Sequence, residues 1–147
     1  MTIKEYENLF QDEEHLTQLI NKYQESFDRV NHYSDLFRNG AIYDPEETDK
    51  AMKDLTGIFM SLSIVATMAE TEKMNREVRF YNQAKMKVEN EGGKAVVAQL
   101  DRQSSAHVAS WRKVRNIFQA YRDVCDRVIS VCQSSLKSLE KEKRLTK

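Results

Sequence analysis

The first candidates for catalysis or metal binding in this 147-residue chain are its three histidines, its two cysteines and a Gly-Gly-Lys run. His15, His32 and His107 are scattered, and no His-x₃-His, Glu-x-x-His or Cys-x-x-Cys spacing is present to hold a metal. Cys125 and Cys132 are seven residues apart. On a helix that places them on one face roughly 10 Å apart, too far to bridge, so they read as reduced, small core residues. Gly92-Gly93-Lys94 has the form of the end of a phosphate loop, but Val88 stands where its first glycine belongs. A helix break is the better reading. No nucleophile is paired with a base beside a tight turn, and the expectation is a protein that is not an enzyme, with no cofactor and no metal.

The other chemistry available is electrostatic. Residues 73–115 carry 10 basic side chains against 4 acidic ones, and Phe80, Tyr81 and Trp111 lie among them. Cations that pair with phosphates, interleaved with rings on which bases stack, are what single-stranded nucleic acid requires. The excess reads as one-signed rather than paired at i, i+4. The candidate DNA-contacting residues are therefore Lys73, Arg76, Arg79, Tyr81, Lys85, Lys87 and Lys94. Trp111 also begins an apolar stripe, and packing is its expected role.

Long helices must position these residues. Apolar Leu16, Ile20, Tyr23, Phe27, Val30, Tyr33 and Phe37 recur every three or four residues, with Ile3, Tyr6 and Phe10 leading in, which predicts one helix over residues 2–38. Asn39-Gly40 suits a left-handed C-terminal cap. Asp44 as cap, Pro45 at the first helical position and Glu46-Glu47 in the first turn predict a second helix over residues 45–90, ended by Gly92-Gly93. Leu55, Ile58, Phe59, Leu62, Val65, Met68 and Ala69 are its expected core, while Gly57, Ser61, Ser63 and Thr67 are small enough for another helix to approach. A third helix over residues 101–144 carries the strictest stripe. Trp111 leads Val114, Phe118, Tyr121, Cys125, Val128, Cys132, Leu136 and Leu139, of which residues 114 to 139 form the expected oligomerisation seam. Residues 94–100 are its first turns or a separate piece, with Gln103-Ser104-Ser105 as the break.

The fold class is thus all-α, a long-helix, coiled-coil-like bundle of three main helices that is oligomeric, with residues 1–147 forming one elongated domain. An acidic N-terminal helix occupies residues 1–40, and a helical core with its basic segment follows over 44–147. Composition agrees: 4 Gly and 1 Pro are too few for a fold of many tight turns. Net charge is zero, yet residues 1–50 hold 5 basic against 12 acidic side chains (−7) and residues 51–147 hold 18 against 11 (+7). The longest uncharged run, residues 55–69, has 15 residues, short of the roughly 20 a membrane helix needs. Residues 1–10 do not read as a signal peptide. A cytoplasmic protein with no membrane partner is expected.

Two stretches, AETEKMNREVRFYNQAKMKVENEGG and WRKVRNIFQAYRDVCDRVISVCQSSLKSLEKEKR, resemble in order and spacing the recombination mediator of T4-type bacteriophages. The resemblance spans roughly residues 50 to 144. It implies a homo-oligomer, ring-forming in that family, that holds single-stranded DNA, with a recombinase and a single-strand-binding protein as further partners and the host cytoplasm as location. By position it places Lys85 and Lys87 in the DNA-contacting segment. Two other classes remain open: a helical virion, assembly or scaffolding component, and an adaptor or inhibitor that captures a protein with the acidic first helix.

Overall fold

The computed structural model describes residues 1–40 and 44–146, and it is all-helical, with no strand among those residues. The elements are α1 (Ile3–Asn8), α2 (Glu13–Lys22), α3 (Gln24–Arg38), α4 (Pro45–Asn90), α5 (Val97–His107) and α6 (Ala109–Leu145). They contribute to two compact units, one of Met1–Ile20 with Val65–Ile117 and one of Asn21–Ile64 with Phe118–Lys147.

α4 has the bounds its sequence predicts. The Asp44 carboxylate accepts the Glu46 N–H at 2.9 Å, and Gly92 takes a φ of +78° that a side chain would resist. Gly40, at φ +66°, likewise ends α3.

The single helix expected over residues 2–38 is broken twice. Asp12 accepts the His15 N–H at 2.8 Å and caps α2, an interaction that holds its carboxyl below the usual range. Phe10 meanwhile turns inward to 1% exposure, and its carbonyl accepts hydrogen bonds from side chains of Arg76 and Trp111 instead of continuing a helix. The second break is at Tyr23, whose φ of −99° and ψ of 5° interrupt the stripe while its ring is buried.

The expected third helix is also two. Gln103-Ser104-Ser105 lies inside α5, because buried Ser104 satisfies its hydroxyl by donating to the Leu100 carbonyl at 2.7 Å. The break falls at fully buried Val108, and Arg112 spans it by donating to the Ser105 carbonyl and hydroxyl at 3.0 and 2.7 Å.

In the first unit the core contains Phe10, Leu16, Leu19, Val65, Ala69, Leu100, Val108, Trp111 and Val114. In the second, Tyr23 and Phe27 meet Phe118 edge-on at 5.3 and 5.2 Å, and Phe27 stacks on Tyr121 at 4.3 Å. Asn31 donates to the Tyr121 hydroxyl at 3.0 Å. Tyr33 donates to Asp54, which also pairs with Arg29. Desolvation, together with Asp54, raises the Tyr33 phenol above its ordinary value.

α4 buries one face, including Ala51, Leu55, Ile58, Leu62, Val65 and Ala69, while Phe59 and Met68 are only half-buried. Of the small residues expected to admit a neighbour, Ser61 and Ser63 are half-buried and Thr67 lies beside Glu7 and Phe10. Gly57 is exposed, and a Cβ there would meet nothing within 4 Å. By length and composition alone α4 could cross a membrane, with an 18-residue window of mean hydropathy 1.2, one third of it buried.

Candidate functional site

Two of the candidate cations have internal duties. The Lys73 ammonium lies 3.7 Å from both Glu70 and Glu77, with only 13% of its side chain exposed. Arg76 donates to Glu72 at 2.9 Å and to the Phe10 and Gln11 carbonyls at 2.9 and 3.2 Å, and its guanidinium stands 4.5 Å from the centre of the Trp111 ring. Trp111 completes this hub by donating its indole N–H to the same Phe10 carbonyl at 2.9 Å. It is a packing residue, 8% exposed. The expected absence of i, i+4 pairing therefore fails at Glu72–Arg76 and Lys73–Glu77. Arg115, also in the basic segment, reaches Glu70 at 2.6 Å and, with help from Lys73, holds that carboxyl below the usual carboxylate range.

The other cations differ. Arg79, Lys85, Lys87 and Lys94 are exposed, and among the described residues none of them is ion-paired. They do not form one stripe. At about 100° per residue, Arg79, Lys85 and Lys87 point in three directions around α4, and Lys94 sits in the loop after it. Tyr81 is half-buried.

A groove in the first unit gathers a more organised set. It has a volume of about 550 Å³ and is lined by Phe80, Gln83, Ala84, Lys87, Val88, Glu91 and Gln103. Phe80, Ala84 and Val88 recur every fourth residue and so present one helix face. The Phe80 ring is stacked on His107 with centres 4.2 Å apart and planes 18° from parallel. Gly93 fits closely beneath, since a Cβ there would come within 3.2 Å of Val88. No protein-family model, curated protein or solved structure matches this chain.

Of the seven candidate DNA-contacting residues, the groove includes only Lys87. Sequence reasoning missed Gln83, Gln103 and Glu91 in the groove, and His107 as the ring stacked on Phe80 beside it. The spacing of Phe80, Ala84 and Val88 could have marked the wall, but nothing in the sequence joins it to a histidine at the end of another helix.

The expected oligomerisation seam is largely filled by the chain itself. Val114, Phe118, Cys125, Val128 and Cys132 are buried in the two cores, and Tyr121 is half-covered by Phe27. Leu136 and Leu139 are likewise only half-buried, on the helix that exposes 47% of Val131. Burial pushes the Cys125 thiol up to about 11 and raises that of Cys132, so both stay protonated at neutral pH. Among the described residues no three metal-type ligands converge.

Proposed function

We propose that this chain is a non-enzymatic DNA-recombination accessory protein that holds single-stranded DNA as a helical homo-oligomer, in the manner of a recombination mediator. The observation that carries the reading is the division among its cations. Lys73, Arg76 and Arg115 are neutralised by Glu70, Glu72 and Glu77, whereas Arg79, Lys85, Lys87 and Lys94 stay exposed and, among the described residues, unpaired on the helix and loop that carry Phe80 and Tyr81. Unpaired surface cations attract phosphates at little folding cost, and the nearby rings offer stacking that tolerates any sequence. A recombinase and a single-strand-binding protein are the partners that such a role brings.

Self-association has support in both units. Met74, Val78 and Met86 are 52%, 59% and 61% exposed in the first, and Met60, Ile64 and Val131 are 63%, 51% and 47% exposed in the second. The same residues favour the second reading, a helical assembly or scaffolding component whose surfaces bind only protein.

Charge reversal separates the two. Changing Lys85 and Lys87 together to Glu should weaken binding of a labelled single-stranded oligonucleotide by more than about tenfold at low salt. The circular dichroism should not change, because exposed helix charges contribute little to folding. Reversing exposed Lys141 and Lys143 alters net charge equally and should have much less effect. Equal losses from both double variants would leave the basic segment as a solvated face and favour the assembly reading.

A further inference from the structure

We infer that the groove between the end of α4 and α5 holds one unpaired nucleobase of the bound strand and favours a base with an exocyclic amino group; this rests on the single-stranded DNA reading. Its size, about 550 Å³, is ample for a base with part of its sugar. Its lining has the parts such a ligand needs. Phe80, Ala84 and Val88 form an apolar wall, and the His107 ring, 4.2 Å from Phe80, fixes the plane of a stack that an entering base extends.

The polar lining then discriminates. Gln83 and Gln103 each offer both a donor and an acceptor to a base edge. Lys87 and Glu91 lie one turn apart on the chain, a spacing suited to an ion pair, yet among the described residues neither is ion-paired. Both charges are therefore open to a ligand. The ammonium suits a phosphate on the sugar that carries the base. The Glu91 carboxylate would repel a phosphate but accepts an N–H, as carboxylates do from the cytosine amino group. Thymine carries a carbonyl where cytosine has that amine, so at this position it presents Glu91 with an acceptor in place of a donor, and only its N3–H is left to donate on that edge.

The test compares oligo(dC), oligo(dT) and an abasic deoxyribose-phosphate chain of equal length, titrated with the full chain at one low salt concentration. Oligo(dC) should bind about tenfold tighter than the abasic chain, within the range one stacked base contributes. It should also bind severalfold tighter than oligo(dT). Phe80→Leu, which keeps an apolar side chain in the wall, should remove most of the advantage over the abasic chain. Glu91→Gln should erase the preference for oligo(dC) over oligo(dT), and because Glu91 is exposed the protein should fold normally. Equal binding of all three polymers, lost in the Lys85→Glu/Lys87→Glu variant, would overturn base recognition while leaving the electrostatic reading intact. Absence of binding to any polymer would overturn both.

Discussion

Phe118→Glu should unfold the second unit rather than release folded single subunits. The ring has no exposed surface and is held between Tyr23 and Phe27 at 5.3 and 5.2 Å. Removing a buried aromatic costs about 3–5 kcal/mol, and a carboxylate without a partner in that cluster adds a desolvation penalty of several more. That total is comparable with the whole stability of a typical domain, about 5–15 kcal/mol. Thermal melts followed by circular dichroism should show either no cooperative transition or a midpoint lowered by tens of degrees. Half-exposed Leu136 gives the contrast, since Leu136→Glu should keep its helix content and alter only the association seen by light scattering. A folded, monomeric Phe118→Glu protein would return residue 118 to a subunit seam.

Trp111→Ala should destabilise the first unit almost as strongly. It removes a ring that is 8% exposed, one of the hydrogen bonds to the Phe10 carbonyl and the face beneath Arg76. A loss of about 3–5 kcal/mol is expected for truncating a buried tryptophan, enough to lower the melting midpoint by roughly 10 °C or more. Trp111→Phe should cost less, because the apolar ring remains and the Phe10 carbonyl keeps the Arg76 donor at 2.9 Å. Arg76→Ala should lower the midpoint while single-stranded DNA affinity changes little. A large loss of DNA affinity from Arg76→Ala in a fully stable protein would mean that this guanidinium faces phosphate.

How much of this was legible in the sequence depended on the range of the forces involved. The start and end of α4 were legible because Asp44, Pro45 and Gly92 act on the backbone within a few residues. The stripe from Trp111 to Cys132 was legible as a buried face, since period alone sets which side is apolar. Period does not say whose helix covers that face, and so a seam expected between subunits proved to be filled by Tyr23, Phe27 and their neighbours. The break after Asn8 has a local mark in the Asp12 cap, but the partners that draw Phe10 inward are remote. Phe10 leaves the helix to serve Arg76 and Trp111, 66 and 101 residues along the chain. Lys73 and Arg76 were different, because Glu70, Glu72 and Glu77 stand at pairing distance in the sequence itself. A count of charges over residues 73–115 conceals pairs that a spacing check reveals.

The central claim, that the exposed cations serve to hold phosphates, is tested most directly by the salt dependence of wild-type binding. A labelled single-stranded oligonucleotide titrated between about 50 and 200 mM salt should give log K falling linearly with log salt. Four exposed cations, Arg79, Lys85, Lys87 and Lys94, at about 0.7 per phosphate on a single strand, set a slope of about −3 for each protomer in contact. No binding at the lowest salt, or binding whose affinity is indifferent to salt, would contradict it.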